Sequence, residues 1–300
     1  MSLRVGINPL TWSNDDMPAL GADIPLEQCL REGRNAGYAG FELGHKFPRD
    51  SAVLAPLLAR HNLALVSGWY SLRLLQRSVA REIAAVQPHL RLLREMGCAV
   101  MVCAEVSHCI HGERHRPLSE RPVLDERQWS AFAERLSAFA SYLTDEGLTL
   151  AYHHHMGTVI ETDDEVRRLM AMTGPEVGLL LDTGHLTYAG GDPARLADDF
   201  RQRVVHLHCK DVRQPVLMRA LDGDWSFLEA VLAGVFTVPG DGCVDFGAVL
   251  DALPTSYNGW VVVEAEQDPA IADPPLYAQM GYRHLAQLLK QRPLAFEERT

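Results

Sequence analysis

The 300-residue sequence is poor in lysine and carries an excess of acidic charge. Its lysines are Lys46, Lys210 and Lys290, and its other basic residues are all arginines. The 39 acidic side chains outnumber the 28 basic ones and give a formal net charge of −11. Because nucleic-acid binding requires clustered lysine and arginine, we expect no nucleic-acid partner.

Several familiar sequence signatures are missing. The six cysteines are scattered and form no C-x-x-C pair, which excludes a disulfide framework. The start of the chain has no signal-peptide pattern, so a cytoplasmic location is expected. No apolar run approaches the roughly 20 residues that span a bilayer, so no membrane partner is expected. Dinucleotide, phosphate-loop and GxSxG nucleophile motifs are also absent.

Short apolar runs alternate with longer amphipathic runs along the whole chain. Strands are predicted at residues 4–8, 39–43, 63–67, 99–104, 148–153, 177–181, 204–208 and 260–264. Helices are predicted at residues 25–36, 51–60, 72–96, 125–146, 162–172, 192–200, 246–253 and 276–291. Eight strands alternating with eight helices predict an α/β fold, a single (β/α)8 TIM barrel that spans residues 1–300.

One long segment, residues 211–242, interrupts this alternation after the seventh strand. A loop of that length is usually functional or contains a short helix of its own, and residues 225–232 could form such a helix. We therefore interpret this excursion as a candidate lid. The Pro-Gly-Asp-Gly stretch near its end is typical of a turn, and it could also let the backbone approach a ligand.

Catalytic residues of a TIM barrel lie at the C-terminal ends of its strands. Asp182, His208 and Glu264 end three successive predicted strands, so barrel closure should point them at one spot. Two carboxylates and an imidazole suit a divalent ion such as Mn²⁺, Co²⁺ or Zn²⁺. His153 ends the fifth strand and is the matching candidate for a fourth ligand. The alternative interpretation is a set of hydrogen bonds and ion pairs at the rim.

The triple histidine at the end of the fifth strand adds a constraint. Side chains alternate between the two faces of a strand, so His153 and His155 share one face and His154 takes the other. At most two of the three histidines can therefore reach a common site. By the same rule His206 and His208 share a face of the seventh strand.

A resemblance to a known family extends over the whole chain. The matching stretches are residues 6–16, 41–49, 151–158, 181–185, 206–211, 236–242 and 259–269, which include LDTGH, HLHCKD and GWVVVEAEQDP. With these stretches the chain resembles the xylose-isomerase-like TIM barrels, and within them the inosose dehydratases of myo-inositol catabolism. The resemblance implies a hydro-lyase that dehydrates a cyclitol ketone, 2-keto-myo-inositol (scyllo-inosose), to a trihydroxycyclohexane-1,2-dione.

The resemblance also implies a metal site. The family pattern is Glu, Asp, His and Glu from strands five to eight, and Asp182, His208 and Glu264 match it. His153 stands where relatives carry glutamate, which leaves the fourth ligand open. The implied cofactors are Mn²⁺ or Co²⁺, and glutathione by resemblance only. A homo-oligomer is expected by analogy.

Dehydration next to a ketone requires a base for the α-proton and an acid for the leaving hydroxyl, with a metal-stabilised enediolate between the two steps. Candidates for these two roles are His155, His185 and Lys210, with Lys46 and Glu42 across the rim, and Lys210 could instead bind substrate oxygens. Candidates for substrate binding or cavity walls are Glu42, Lys46, Trp12, Trp69 and Tyr70, of which the three aromatic residues could equally be core.

Three other functions fit parts of the sequence. A sugar epimerase or isomerase would use the same metal and enediolate but would reprotonate instead of expelling hydroxide. A DNA-repair endonuclease shares the fold, but the net charge argues against it. A non-enzymatic binding module would tolerate alanine at Asp182 or Glu264.

Overall fold

Apolar segments rich in valine and leucine form the strands of a closed barrel in the computed structural model, which describes residues 3–292. In chain order the strands are β1 (Arg4–Ile7), β2 (Gly40–Leu43), β3 (Ala64–Leu72), β4 (Val100–Glu105), β5 (Thr149–His153), β6 (Val177–Asp182), β7 (Val204–Cys209), β8 (Asp211–Val212), β9 (Phe236–Thr237) and β10 (Trp260–Val263). The predicted domain also includes residues 1–2 and 293–300, which lie outside the described residues.

Within residues 3–292, eight parallel strands close the barrel in the order β1-β10-β7-β6-β5-β4-β3-β2. Strand β1 completes the circle by pairing with both β10 and β2, with Ile7 opposite Val263 on one side and Phe41 on the other. Parallel strands with both faces covered are expected to be continuously apolar, as Val261, Val262 and Val263 are. The predicted TIM barrel is confirmed, and all strand C-termini meet at one rim.

Amphipathic helices surround this barrel. They are α1 (Leu26–Ala36), α2 (Ser51–Arg60), α3 (Val79–Glu95), α4 (Glu126–Asp145), α5 (Asp163–Met172), α6 (Thr183–Tyr188), α7 (Pro193–Asp199), α8 (Gln214–Asp222), α9 (Phe227–Leu232), α10 (Phe246–Ala252) and α11 (Pro274–Lys290). Thr162 and Glu165 form a reciprocal capping box at the start of α5, which satisfies two free N–H groups of the first turn. Among the described residues, no helix has both the length and the apolar character needed to cross a bilayer.

Local capping explains where the predicted boundaries were wrong. Strand β3 continues to Leu72, and α3 begins only at Val79, because Ser78 accepts a hydrogen bond from the Arg81 N–H and caps the helix there. Helix α3 contains Pro88 in its interior and continues past it to Glu95. The unpredicted helix α6 starts directly at the end of β6, where Asp182 accepts a hydrogen bond from the His185 N–H at 2.7 Å.

The excursion is a folded unit that contains α8, α9 and the antiparallel hairpin β8–β9. Helix α9 confirms the short helix predicted at residues 225–232. Phe227 and Phe236 are buried in the apolar cluster of this unit, and both rings pack against the His185 ring. The excursion therefore forms an apolar wall beside the barrel rim, and its action as a lid stays a prediction.

A single carboxylate ties the two ends of the excursion together. Asp211 accepts backbone hydrogen bonds from Val212, Gly240, Gly242 and Val244 at 2.8–3.0 Å. The Pro-Gly-Asp-Gly turn thus approaches this carboxylate closely, and a Cβ at Gly242 would lie 2.3 Å from an Asp211 oxygen.

Replacing Asp211 by asparagine tests this anchor. The amide nitrogen of asparagine would face backbone N–H groups and cannot accept hydrogen bonds from them. Each buried donor left without a partner costs about 1–3 kcal/mol. We expect the free energy of unfolding of Asp211→Asn, measured in urea, to fall by that amount. The matched control is Asp222→Asn at the exposed end of α8, where we expect no measurable change. An Asp211→Asn protein as stable as wild type would contradict the anchoring role.

Candidate metal centre and active site

A cavity of about 190 Å³ opens at the C-terminal rim of the barrel. Its walls combine carboxylates, imidazoles and a few apolar side chains from several strand ends. They are Asn8, Leu10, Asn14, Asp15, Asp16, Glu42, Leu43, Trp69, Ser71, Val102, His111, His153, His155, His208, Glu264 and Glu266. This is the face at which TIM barrels carry their chemistry.

Four of the predicted residues converge beside this cavity, of which His153, His208 and Glu264 line it and Asp182 does not. His153, Asp182, His208 and Glu264 are buried, and one donor atom from each lies within 4.8 Å of the others. Asp182 Oδ2 lies 3.4 Å from His153 Nε2 and 3.5 Å from His208 Nδ1, and Glu264 Oε2 lies 3.1 Å from His208 Nδ1. Strands β5, β6 and β7 and the end of β10 thus direct their donor atoms to one point.

The electrostatics of this cluster fit a cation. Burial raises the pKa of Asp182, but Lys210 and His185 lower it well below its ordinary value. Burial likewise raises the pKa of Glu264, but His208 and Lys210 lower it to about 2. Burial lowers the pKa of His208, but Glu264 and Glu42 raise it well above its ordinary value. Both carboxylates are therefore ionised. Without a metal the His208 ring is protonated and positively charged, and a bound cation would supply this positive charge in its place.

An unpartnered nitrogen atom supports the same conclusion. His208 Nδ1 faces Asp182 and Glu264 and is buried without a hydrogen bond of good geometry, although buried polar atoms are normally paired. Two carboxylates and two imidazoles also form the donor set that a borderline divalent ion prefers. The residues present therefore fit a divalent metal.

Lys210 is fully buried behind the cluster and does not line the cavity. Its ammonium lies 2.8 Å from Glu264, 2.7 Å from Glu266 and 3.6 Å from Asp182. Burial lowers the pKa of Lys210, but these three carboxylates raise it above its ordinary value. Gly184 permits this arrangement, because a Cβ there would lie 2.4 Å from the Lys210 side chain. Lys210 is thus a permanent buried cation.

The triple histidine follows the predicted alternation. His153 and His155 both line the cavity and contact Trp69, at ring-centroid distances of 5.3 and 5.7 Å. His154 faces away and accepts a hydrogen bond from the Asp182 N–H at 3.3 Å. His155 Nδ1 lies 2.8 Å from the Met156 carbonyl and donates to it, so Nε2 keeps its lone pair. Burial lowers the pKa of His155 well below its ordinary value, and the ring is neutral.

His185 sits one layer further back. Its ring centroid lies 3.9 Å from that of His155, with the two ring planes tilted by 43°, and its Nε2 accepts a hydrogen bond from Lys210 Nζ at 3.0 Å. His185 is fully buried and is not among the residues that line the cavity. The structure therefore places His155, but not His185 or Lys210, where it can touch a bound molecule.

Three residues predicted to contact substrate lie elsewhere. Trp12 is buried against Phe41 and donates its indole N–H to Glu32. Tyr70 donates to Glu82 on the outer side of β3. Lys46 donates to the carbonyl oxygens of Gly21 and Ile24.

Sequence reasoning also missed part of the cavity wall. Glu266, two residues beyond Glu264, faces the cavity, and burial raises its pKa to about 7. A polar ring at the mouth was missed entirely: Asn14, Asp15, Asp16, Ser71 and His111. The signal available for Glu266 was its spacing, because residues i and i+2 of an extended segment share a face.

Comparison with known proteins places these features in a family. A profile described as "Xylose isomerase-like TIM barrel" matches residues 30–290. The rhizopine catabolism protein MocC of Rhizobium meliloti is 52% identical over 289 residues, which cover 96% of this chain and 89% of that protein. The inosose dehydratase of Geobacillus thermodenitrificans is 42% identical over 286 residues, which cover 94% of this chain and 96% of that enzyme.

Solved structures agree on the fold. A structure of the IOLI protein with a bound zinc atom superimposes with a TM-score of 0.69 at 14% identity and covers 96% of this chain and 99% of that one. A structure of L-ribulose 3-epimerase gives 0.67 at 16% identity, with 96% and 95% covered. The sequence match and the barrel together show that this chain belongs to the xylose isomerase-like TIM barrel family.

Proposed function

We propose that this chain is a metal-dependent hydro-lyase that dehydrates 2-keto-myo-inositol (scyllo-inosose) to a trihydroxycyclohexane-1,2-dione. The observation that carries the proposal is the buried donor set of His153, Asp182, His208 and Glu264 beside a polar cavity. The 42% identity to an inosose dehydratase over nearly the full length of both chains supports the choice of substrate.

The four donors would hold one divalent cation, with Mn²⁺ or Co²⁺ as our proposal. When bound, the cation acts as a Lewis acid that stabilises negative charge developing on the ketone oxygen of the substrate. The orientation of the Asp182 carboxylate is fixed, because its Oδ1 accepts a hydrogen bond from the His185 N–H at the start of α6 at 2.7 Å. The Lys210 ammonium contacts Glu264 Oε1 at 2.8 Å, whereas Glu264 Oε2 faces His208.

His155 is the proposed base. Its Nε2 lone pair faces the cavity, since Nδ1 donates its proton to the Met156 carbonyl at 2.8 Å. The ring of His185 behind it and the edge of Trp69 beside it fix its orientation. In the proposed reaction His155 removes the α-proton, and the electron pair of that C–H bond forms the new double bond.

Glu266 is the proposed acid. A donor atom of Glu266 lies within 4.8 Å of one of His155, so both groups reach the same bound ring. Glu266 gives a proton to the departing hydroxyl, the carbon–oxygen bond breaks, and water leaves. The enol that remains then tautomerises to the 1,2-dione. Lys210 lies 2.7 Å from Glu266 and stabilises the carboxylate that remains. Proton transfer from His155 to Glu266 then restores both groups.

The remaining wall suits a polyhydroxylated ring. Trp69 offers an apolar surface to the C–H face of the ring, and Asn14, Asp15, Asp16, Ser71 and His111 offer hydrogen-bonding groups to its hydroxyls. For glutathione the described cavity residues provide no argument, and it stays a prediction of the resemblance. The homo-oligomer and the cytoplasmic location likewise stay predictions.

Metal removal and loss of a donor test the proposed reaction. We expect Mn²⁺- or Co²⁺-loaded protein to convert scyllo-inosose to a dione, followed by its absorbance and identified by mass spectrometry. Chelation, or Asp182→Asn, should lower the rate at least about 100-fold, because Lewis-acid stabilisation contributes several kcal/mol. The exposed Asp222→Asn should react like wild type.

Two results would reject this assignment. One is a turnover that chelation leaves unchanged. The other is a product that keeps every ring hydroxyl, which would indicate the epimerase or isomerase alternative.

Removing the buried ammonium tests the charge balance. Lys210→Met leaves Asp182, Glu264 and Glu266 without their cation, and breaking a buried ion pair costs about 3–5 kcal/mol. We expect the metal-free variant to lose that much unfolding free energy and to recover part of it with excess Mn²⁺. Arg91→Met on the exposed face of α3 is the control. Equal stability of Lys210→Met and wild type in chelator would contradict the role given to Lys210.

A further inference from the structure

Glu42 reaches across the barrel interior to the metal-ligand cluster. It lies on β2, which is separated from β7 by β1 and β10 in the closed sheet. Its carboxylate is buried, and the side chains it contacts are 164 and 166 residues away along the chain. A buried carboxylate charge is costly unless it is paired or hydrogen-bonded.

The Glu42 carboxylate is occupied by hydrogen bonds from the chain itself. His206 Nε2 donates to Oε1 at 2.8 Å, and Asn8 Nδ2 donates to Oε2 at 2.8 Å. His208 Nε2 lies 3.2 Å from Oε1 and 3.1 Å from Oε2. Three donors on two oxygens leave little capacity for a substrate hydroxyl, although Glu42 was predicted to bind substrate and borders the cavity.

The contact with Glu42 determines which nitrogen of the His208 ring carries the proton and which can bind a cation. An ionised carboxylate only accepts hydrogen bonds, so when the His208 ring gives up its second proton to bind a cation, the remaining proton stays on Nε2. The lone pair then lies on Nδ1, which faces Asp182 and Glu264 and has no hydrogen-bond partner. A carboxylate that holds the far N–H of a metal-binding histidine fixes its tautomer and raises its basicity.

Asn8 extends the same network to a second ligand. Its amide nitrogen donates to Glu42 Oε2 and to Glu264 Oε2, both at 2.8 Å. Asn8 is itself held at the end of β1, since its N–H donates to the Val263 carbonyl and its Oδ1 accepts from the Leu10 N–H. The two side chains therefore orient one imidazole and one carboxylate of the donor set together.

We propose that Glu42, bridged by Asn8, is a positioning residue that presents His208 to the cation through Nδ1. This inference rests on the proposed function, because it concerns the same metal centre. Outer carboxylates of this kind typically contribute 10- to 100-fold to metal affinity. Glu42→Gln keeps the side-chain size but places an amide N–H against at least one of the N–H donors.

The test measures Co²⁺ binding to metal-stripped full-length protein by calorimetry and by the visible absorption of the bound ion. We expect Glu42→Gln to raise the Kd about 10- to 100-fold and to change the Co²⁺ spectrum. The matched control is Glu105→Gln, a buried carboxylate at the end of β4 that accepts from the Leu74 and Ser107 N–H groups. Its Kd and spectrum should equal those of wild type.

Asn8→Ala serves as a second variant if Glu42→Gln does not fold, as judged by circular dichroism. It keeps the charge of Glu42 but removes the bridge to Glu264, so we expect a smaller rise in Kd with a spectral change in the same direction. The absence of any change in Kd or spectrum with Asn8→Ala would overturn the bridging role.

Other outcomes separate the competing explanations. An unchanged Kd and spectrum in Glu42→Gln overturn the inference, and an unchanged Kd with a raised KM for scyllo-inosose assigns Glu42 to substrate instead. Two Co²⁺ per wild-type chain and one in the variant would place a second cation among Glu42, His206 and His208, and would also overturn it. If wild-type protein binds no Co²⁺, the proposed function itself fails, and the inference falls with it.

Discussion

The active rim of this barrel depends on the compensation of buried negative charge. Asp182, Glu264 and Glu266 lie around the single ammonium of Lys210, and Glu42 lies beyond them among imidazoles. Carboxylates removed from water are tolerated only when they are paired, hydrogen-bonded or bound to a metal. The chain has few lysines, and Lys210 is buried at the centre of the charge cluster and not exposed on the surface.

The barrel converts this requirement into a defined geometry. Parallel closure brings the C-terminal ends of β5, β6, β7 and β10 to one rim, and each end delivers one donor to the cluster. Asp182 shows how tightly site and scaffold are joined, because it ends β6, caps α6 and faces His153 and His208. A movement of the donor atoms would therefore disturb the backbone that carries them.

The metal donors by themselves do not specify the reaction. Proteins of this fold include epimerases as well as dehydratases, and enolisation of a ketone serves both reactions equally. In the proposed function the distinction lies in the neighbouring groups, His155 and Glu266, which would have to remove one proton and supply another to a leaving hydroxyl. Phe227 packs against the His155 ring and Phe236 against the His185 ring, so aromatic side chains wall this side of the site.

Local pattern alone determined the alternating strands and helices, the placement of His153, Asp182, His208 and Glu264 at or next to strand ends, and the shared face of His153 and His155. Those features follow from a period of two along a strand and from capping residues close in sequence. The tertiary structure alone decided that Trp12, Tyr70 and Lys46 turn away from the cavity, and that Glu42 pairs with His206 and His208. Such contacts join strands far apart in the chain, so they depend on barrel closure and on side-chain directions that no local spacing encodes.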